Sequence, residues 1–512
     1  MTAQTATVET ILSDAGLTGW LAEVGAYINR QRWSGAQDTS VTSVTVDDAA
    51  VLIERDPTII FTVTRVVYTD GRVRSYALPL GLRRVGDALA ERAPTFMIAT
   101  LPDDEGGRFL YDALGDPSYV HWLWQAIRQC RTVPTATAVL RCECEDPAAL
   151  EDTDTPWLRV LTVEQSNTSI EVGEGTFLKH IRRIEPGPSH ELEMAKALAA
   201  AGFTHIAPIL ADVLYETGEG DTAPLAIVQP YLRNSADGWA LALTSLRDLY
   251  ANAEEALAAG APDPHTVVAQ QGGAFDGEAA RLGAVIAEMH LALSRLNDGA
   301  KMRPAPITPA LLDAWAEAMV AELDALLATR EPSIESLRDV TDSIRTRFES
   351  LRTADPSGLC IRIHGDLHLG QTLRVDSGWI LLDFEGEPNR SPAERRALGS
   401  PLRDVAGMLR SFDYAAAVAL TDRILPESAD WEGMMAFGDE WAAVNRSAFW
   451  NAYVETVGDT QLLPTERATR IERRAFELQK AIYEVRYELG HRPSWVGIPM
   501  RFLLRSRDDA GD

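Results

Sequence analysis

Two carboxylates and one amide in the segment 359–388 have the residue types and the spacing that phosphoryl transfer requires. Asp366 lies in a polar loop after an apolar run, Gln371 follows five positions later, and Asp383 ends a second apolar run. A carboxylate can orient an attacking hydroxyl, and amide and carboxylate oxygens are hard ligands of the kind that Mg²⁺ prefers. The sequence therefore predicts Asp366 as the catalytic residue and Gln371 and Asp383 as magnesium ligands.

The same loop also admits two other interpretations. His364, Asp366 and His368 alternate along the chain, and histidine is a common ligand of transition metals, so a metal-dependent hydrolase is one alternative. The other is a polar loop whose histidines hydrogen-bond the backbone. The amide five positions after Asp366 and the second carboxylate, Asp383, favour a kinase over both.

Short strands are predicted to position these groups. Apolar residues alternate with polar ones over 359–363, and two further strands are expected at 372–375 and 379–382. The turn between the last two contains Gly378, which can adopt a positive φ. Both carboxylates are thus expected in loops that leave a small buried sheet.

The amino-acid sequence of this region resembles that of a known family. The runs H-G-D-L-H-L-G-Q (364–371), L-D-F-E-G-E-P (382–388) and S-P-L-R-D-V-A-G-M-L-R-S-F-D-Y-A (400–415) are similar to those of actinobacterial maltokinases. These enzymes are relatives of the aminoglycoside phosphotransferases. The resemblance implies an α+β, bilobal protein-kinase-like fold with an extra N-terminal α+β cap.

Three parts of the chain are expected on this basis. Residues 1–100 are predicted to form the cap, residues 101–232 the N-lobe with the ATP-binding strands and the hinge, and residues 233–512 a mainly helical C-lobe with the catalytic loop and the sugar pocket. In the C-lobe, helices are expected at 239–259, 278–296, 308–329 and 334–353, with a loop at 260–277.

The cap is predicted from a helical pattern at 11–28 and from strands at 41–46, 59–68 and 72–80, with Asp70-Gly71 as a hairpin signal between the last two. The runs R-Q-R-W (30–33) and Y-A-L-P-L (76–80) resemble the maltokinase cap. The residues after R-Q-R-W, Ser34-Gly35-Ala36-Gln37, lack the aromatic and lysine of that family, so the sequence assigns the cap no role.

The resemblance also implies a nucleotide site. Ser166 and Asn167 lie between strands expected at 158–163 and 169–172, in the place of a phosphate-covering loop. Lys179 ends a strand at 176–179 and would contact the α- and β-phosphates while pairing with a helix glutamate. Glu191 and Glu193 are both candidates for that pairing, and Glu193 is the predicted partner of Lys179.

The hinge that holds the adenine of ATP is expected directly after a strand at 225–228. Its residues would be Gln229, Tyr231 and Leu232.

A helix near the C-terminus, 477–488, presents one continuous stripe made of Lys480, Tyr483, Glu484 and Tyr487 at positions i, i+3, i+4 and i+7. Aromatic faces can stack on a pyranose while charged groups hold its hydroxyls. The alternative is an ordinary amphipathic helix whose tyrosines reach water. The motif K-A-x-Y-E-V-x-Y-E, followed by R-P-x-W, resembles the maltokinases, which implies a sugar pocket here that includes Trp495 and, from the catalytic loop, His368.

Composition excludes several classes of partner. The chain has 75 acidic and 48 basic residues and a formal net charge of −27, so binding to nucleic acid or to anionic membranes is not expected. Four scattered cysteines do not make a disulfide framework, and no long apolar span or signal peptide is evident. We therefore expect a cytoplasmic protein.

The resemblance implies that ATP and Mg²⁺ are used to phosphorylate maltose at its anomeric hydroxyl, which gives maltose 1-phosphate for glycogen-like α-glucan synthesis. Trehalose synthase is a possible partner. A kinase of the same fold for glucosamine or another amino sugar is the alternative acceptor assignment. A non-catalytic kinase-like module is disfavoured because Lys179, Asp366, Gln371 and Asp383 are all present.

Overall fold

The computed structural model describes residues 7–14, 17, 19–35, 39–101, 107–145, 147–150, 153, 155–161, 167–258, 260, 263–271, 275–297, 302–387 and 390–506. The chain divides into two compact units, one formed by 1–192 with 208–233 and the other by 193–207 with 234–512. The border between them falls within a helix, His190–Ala200.

The first unit is built from two antiparallel sheets. Its strands are β1 Val41–Ile53, β2 Thr58–Tyr68, β3 Val73–Arg84, β4 Met97–Leu101, β5 Arg108–Asp112, β6 Thr132–Pro134, β7 Ala138–Cys144, β8 Leu158–Leu161, β9 Asn167–Val172, β10 Thr176–Ile181, β11 Arg183–Ile184, β12 Ala211–Thr217 and β13 Thr222–Pro230. The first sheet has the order β1-β2-β3-β5-β4, with β11 beside β3, and the second has the order β6-β7-β12-β13-β10-β9-β8.

The helices of this unit are α1 Val8–Asp14, α2 Leu21–Arg30, α3 Leu89–Arg92 and α4 Pro117–Arg128, and α5 His190–Ala200 runs from it into the second unit. The helix expected over 11–28 is two helices, because the sequence between α1 and α2 is rich in glycine, a poor helix former. All three strands begin within one residue of the expected positions. β2 also ends at Tyr68 as expected, whereas β1 continues to Ile53 and β3 to Arg84.

The second unit is mainly helical. Its helices are α6 Gly238–Ala258, α7 Pro264–Gln271, α8 Phe275–Ser294, α9 Pro309–Ala328, α10 Thr341–Glu349, α11 Pro392–Arg395, α12 Leu402–Thr421, α13 Trp431–Val457, α14 Glu466–His491 and α15 Gly497–Arg505, and its short strands are β14 Ala236–Asp237, β15 Ala305–Pro306, β16 Leu359–Cys360, β17 Thr372–Val375 and β18 Gly378–Leu381. Helix α12 is almost wholly buried, as a central helix must be.

Three of the elements expected in the second unit differ from the structure. The predicted loop 260–277 contains α7, and the predicted helix 334–353 is a 3₁₀ helix over Pro332–Val340, then α10, then another 3₁₀ segment. The predicted strand 359–363 stops at Cys360, where β16 pairs with β15. After Cys360 the chain leaves this pairing, and the backbone of Ile361 pairs instead with that of Gly399 in an isolated bridge.

Candidate active site

The catalytic loop is held by Asp404, in the first turn of α12. The carboxylate of Asp404 accepts hydrogen bonds from the backbone N–H of His364 at 2.7 Å and of Gly365 at 2.8 Å. Nε2 of His290 lies 3.1 Å from the same carboxylate, and Asp404 is only 2% exposed. Because Asp366 follows Gly365 directly, Asp404 fixes the backbone from which the predicted catalytic side chain extends.

The Asp366 carboxylate is paired with Lys480 of α14, whose Nζ lies 3.1 Å from Oδ1. The same Nζ lies 3.6 Å from Glu387, and the Tyr483 hydroxyl donates a hydrogen bond to Glu387. Two members of the predicted acceptor stripe therefore meet the catalytic loop. Lys480 contacts Asp366, the carboxylate predicted to be catalytic, and the sequence did not indicate this contact.

These contacts set the protonation states. Burial opposes ionisation of Asp366, but the charge of Lys480 and its hydrogen bond to the carboxylate outweigh burial and hold the pKa of Asp366 below its usual value. Burial likewise opposes the Lys480 charge, but Asp366 and Glu387 raise the pKa of Lys480 above its usual value. Burial and the neighbouring Asp366 raise the pKa of Glu387. At neutral pH the centre thus holds an ionised Asp366 beside a protonated Lys480.

Gln371 and Asp383, the predicted magnesium ligands, lie side by side. The Gln371 amide nitrogen donates to Oδ2 of Asp383 at 3.1 Å, and the backbone N–H of Leu382 donates to the Gln371 carbonyl at 2.9 Å. Asp383 has φ of 59°, in the left-handed region, and lies two positions after the end of β18. A strained backbone at a site residue is typical of functional loops. One carboxylate and one amide at this distance are a donor set that fits Mg²⁺.

His364 is a structural residue of this loop, since its Nε2 lies 2.7 Å from the carbonyl oxygen of Leu382. His368 is bound locally: the backbone N–H of Gly370 donates to its Nδ1 at 3.1 Å. Burial lowers the pKa of His368, in spite of the nearby Asp366, which keeps the ring neutral and able to accept that bond. A substrate contact by His368 stays a prediction.

The predicted acceptor stripe continues along α14 as a run of rings. Tyr483 and Tyr487 have their ring centroids 6.4 Å apart, and Tyr487 stacks on His491 at 4.3 Å. Tyr487 is 37% exposed, so much of its ring is open to solvent. Trp495 lies beyond, with the Arg492 guanidinium 4.2 Å from its ring centroid.

Glu484, the acidic member of the stripe, is held by a chain of ion pairs. Arg410 donates to Glu484 at 2.8 Å and to Asp413 at 2.9 Å. Arg446 in turn donates to Asp413 at 3.0 Å and to Glu477 at 2.6 Å. Glu484 therefore faces a guanidinium, and the sequence missed this network because its members lie up to 74 residues apart in the chain.

In the first unit, Lys179 of β10 pairs with Glu191, not with Glu193. Lys179 Nζ lies 3.1 and 3.2 Å from the two oxygens of Glu191, whereas Glu193 is paired with Arg362 at 3.2 Å. The assignment of Glu193 as the partner of Lys179 is thus wrong. Two positions turn a helix by about 200°, so the two glutamates point in nearly opposite directions and only one can meet the strand.

The other predicted nucleotide residues lie in or beside the second sheet. Asn167 opens β9 opposite Ile181, and Gln229 lies near the end of β13 opposite Phe177. The backbone N–H of Tyr231 donates to the Gly175 carbonyl at 2.8 Å, and Leu232 follows it in the chain. Ser166 lies outside the described residues. Nucleotide contacts by these residues stay predictions.

These features are typical of a kinase-like phosphotransferase. The first unit has an antiparallel sheet with a Lys–Glu pair, and the second unit is helical and has an aspartate in a loop and a Gln–Asp pair. Comparisons with known proteins agree. Residues 27–116 match the family model described as the maltokinase N-terminal cap domain. The glucosamine kinase of Mycolicibacterium smegmatis is 30% identical over 348 residues, which are 67% of this chain and 77% of that protein.

The glucosamine kinase of Streptacidiphilus jiangxiensis is 31% identical over 350 residues, which are 67% of this chain and 71% of that protein. A solved glucosamine kinase in complex with glucosamine, ADP and inorganic phosphate has a TM-score of 0.60 and 25% identity, and the match covers 94% of this chain and 98% of that one. This chain therefore belongs to the family of these kinases, sugar or amino-sugar kinases with an aminoglycoside-phosphotransferase-like fold and a maltokinase-type cap.

The predicted fold and the predicted relationship to the maltokinases and aminoglycoside phosphotransferases are thereby confirmed. No helix among the described residues combines the length and the apolar character needed to cross a membrane.

Proposed function

We propose that this chain transfers the γ-phosphoryl group of ATP to the anomeric hydroxyl of maltose, giving maltose 1-phosphate. Asp366 orients the attacking hydroxyl and accepts its proton, and Lys480 keeps Asp366 ionised. Gln371 and Asp383 would hold Mg²⁺, which offsets charge on the phosphates when bound. Lys179, held by Glu191, steadies the phosphates.

The carboxylates on and near α14 already have partners, and this observation favours a neutral acceptor over an amino sugar. Asp366 is paired with Lys480, Glu484 with Arg410, and Glu488 with Arg492 at 2.7 Å. Glu387 accepts from the Tyr483 hydroxyl. An ammonium group would have to displace one of these partners, whereas a neutral sugar needs hydroxyl contacts and an aromatic face, which the tyrosines supply.

The protonated state of Lys480 supports the same choice. Its ammonium group lies 3.1 Å from Asp366, which is where an acceptor must approach. A second cation at that place would be repelled through a medium of low dielectric constant. Maltose brings no such charge, and the family model of the cap agrees with this acceptor.

Glucosamine is the second candidate acceptor, because the two curated relatives are glucosamine kinases at 30% and 31% identity. Their matches cover two thirds of this chain, far more than the cap model does. An amino-sugar acceptor would leave the fold and the catalytic residues as proposed. It would change only the groups that contact the sugar.

The proposal is tested by measuring ADP release with MgATP on maltose, glucosamine, glucose and an aminoglycoside, with Asp366→Asn as the inactive control. Turnover on maltose, with loss of the reducing end of the product, is the expected result. Turnover on glucosamine alone would refute maltose and establish the second candidate. Product formation without ATP would indicate the hydrolase alternative. Cytoplasmic location and association with trehalose synthase stay predictions from the sequence.

A further inference from the structure

A cavity of about 830 Å³ lies in the second unit, between α13 and the beginning of α14. Leu409 of α12 and residues that connect α13 to α14 complete its wall. None of the residues that line it is a predicted site residue. Arg473, the lining residue nearest to Lys480 in the chain, precedes Lys480 by seven positions, which is about 10 Å along α14. The cavity is therefore a different feature from the candidate active site.

Three arginines line this cavity, Arg446 of α13 and Arg470 and Arg473 of α14. The whole chain has a formal net charge of −27, so three guanidinium groups on one cavity wall are contrary to the overall charge. The lining also includes the carboxylates of Asp459 and Glu466, which are both exposed, and Glu466 pairs with Arg470 at 2.8 Å. The less exposed part of the wall thus carries the charges of Arg446 and Arg473.

One buried carboxylate, Glu477, faces both of these guanidinium groups. Arg446 donates to it at 2.6 Å, whereas Nε of Arg473 lies 3.6 Å from it, which is beyond hydrogen-bond distance. Arg446 also donates to Asp413 at 3.0 Å. Arg446 is therefore well paired, and Arg473 has only the weaker contact.

The charge of Arg473 is incompletely balanced. Its Nε is buried and has no hydrogen-bond acceptor in the part of the chain that the structure describes, and its side chain is 28% exposed. Burial lowers the pKa of Arg473, and the charges of Arg446 and Arg470 lower it further, although Glu477 opposes them. An anion that accepted hydrogen bonds from the terminal Nη groups of Arg473 would supply the negative charge that Glu477 supplies only in part.

Trp450 orients the Arg473 guanidinium. Cζ of Arg473 lies 4.5 Å from the centroid of the Trp450 ring, which stacks on Tyr453 with their centroids 5.8 Å apart. An aromatic face attracts and orients a guanidinium, and the N–H groups, which lie in the guanidinium plane, stay available for a bidentate contact. Phosphate oxygens have the geometry that matches such a pair of donors.

Neutral polar side chains line the same cavity. Ser447 and Asn451 are four positions apart and so lie on one face of α13, and Thr460 follows that helix. Hydroxyl and amide groups can bond to the hydroxyls of a sugar. The volume lies within the range of about 300–1,000 Å³ that is typical of small-molecule sites, and a phosphate ion alone would fill little of it.

We propose that this cavity is a second ligand site, which binds a phosphorylated sugar. Its phosphate group lies at Arg473, beside Arg446 and Arg470, and its hydroxyls face the neutral side chains of α13. The site is separate from the nucleotide and acceptor sites of the proposed kinase reaction and does not depend on that reaction.

The test measures binding of glucose 6-phosphate, inorganic phosphate and glucose by calorimetry at constant ionic strength. Arg473→Met removes the charge and keeps an unbranched side chain over Trp450, and Arg473→Lys keeps the charge without the paired donors. Arg345→Met is the matched control for the change of net charge, because Arg345 lies outside the cavity and pairs with Asp324 at 2.6 Å. The KM for ATP is measured for each variant without added ligand.

We expect Arg473→Met to weaken binding of glucose 6-phosphate by at least about tenfold, because charge-assisted hydrogen bonds are lost. Arg473→Lys should lose less, since an ammonium group replaces the charge but not the bidentate contact. Arg345→Met should bind like the wild type, and the KM for ATP should be unchanged in all three variants. Glucose 6-phosphate should bind more tightly than inorganic phosphate, and equal affinities would refute the sugar part of the assignment.

Absence of binding of both phosphates to the wild type would overturn the inference, as would equal losses in Arg473→Met and Arg345→Met. Binding of glucose as tight as that of glucose 6-phosphate would also overturn it. A loss of binding in Arg473→Met that is matched by a rise in the KM for ATP would place the ligand at the candidate active site instead. Failure of the wild type to phosphorylate any sugar is a different result, because it would refute the proposed function and leave this inference standing.

Discussion

Replacing Asp404 with Asn should reduce turnover by about 10²-fold while leaving nucleotide binding intact. The carboxylate accepts three bonds: Oδ1 from the N–H of Gly365, and Oδ2 from the N–H of His364 and from His290. The side-chain amide of Asn has one oxygen, so its less costly orientation loses the bond from Gly365 and weakens the others.

The magnitude follows from these bonds. A hydrogen bond to an ionised group contributes about 1.5–3 kcal/mol, and bonds to a neutral group are roughly half as strong. One bond lost and two weakened give about 3 kcal/mol, which is about a factor of 10² if it appears as misplacement of Asp366 in the transition state. The carboxylate of Asp404 stays ionised in spite of burial because His290, His364 and the backbone N–H of Gly365 lower its pKa.

The assay is kcat and KM from ADP release, together with MgADP affinity and the melting temperature. Asp48→Asn is the matched control: Asp48 is a buried cap carboxylate that accepts from the Thr137 N–H at 2.9 Å and from the Tyr215 hydroxyl at 2.9 Å. Asp48→Asn should lower the melting temperature with kcat unchanged. A kcat of Asp404→Asn within threefold of the wild type would refute the reasoning, as would an equal fall of kcat in the control.

Three further outcomes are expected. In Lys480→Met, burial acts on Asp366 without the opposing charge, so the pKa of Asp366 rises and the acidic limb of the kcat/KM profile moves to higher pH; an unmoved limb would separate Lys480 from the catalytic carboxylate. Tyr487→Ala should raise the KM for the sugar about tenfold and leave the KM for ATP within twofold, because Tyr487 exposes its ring on the helix that also carries Lys480; equal effects on both constants would argue against a sugar contact. Burial raises the pKa of Glu472 to about 7, so ionising it weakens the folded state as pH rises from its unfolded pKa through 7; chemical unfolding should show Glu472→Gln to be more stable than the wild type by up to about 3 kcal/mol at pH 8, with little difference at pH 5, and a gain equal at both pH values would be inconsistent with this cause.

The local geometry of the catalytic segment could be predicted because its contacts are local in sequence. Asp366, Gln371 and Asp383 lie within 18 residues, and the hairpin of β17 and β18 brings the last two together whatever the rest of the fold does. The spacing of hydrophobic residues predicted that hairpin, and the glycine at 378 marked its turn. Local patterns were sufficient there because the contacts themselves are local.

The residues that support the loop could not be predicted in this way. Asp404 acts on His364 from 40 positions away, and Lys480 acts on Asp366 from 114 positions away. Residue types alone give no distance between such segments. The choice between Glu191 and Glu193 failed for a related reason: it depends on the angular position of each residue around α5 relative to β10, and this angle is fixed only by packing.

The same principle explains the partial success of the stripe on α14. Helical spacing correctly predicted that Lys480, Tyr483, Glu484 and Tyr487 follow one side of a helix. It did not predict their partners, and the partners decide what each residue can do. Lys480 is bound to Asp366 and Glu484 to Arg410, so within this stripe the tyrosines are the groups best suited to contact a sugar.

The charge of Lys480 also affects the two candidate acceptors differently. A neutral disaccharide can approach Asp366 while Lys480 stays in place, and the lysine then serves to keep the carboxylate ionised. An amino sugar would place its own ammonium group near a cation whose pKa is already raised by Asp366 and Glu387. The two positive charges would compete for the same carboxylates. The charge at position 480 therefore links the ionisation of Asp366 to the choice of acceptor, and it favours the acceptor that brings no charge.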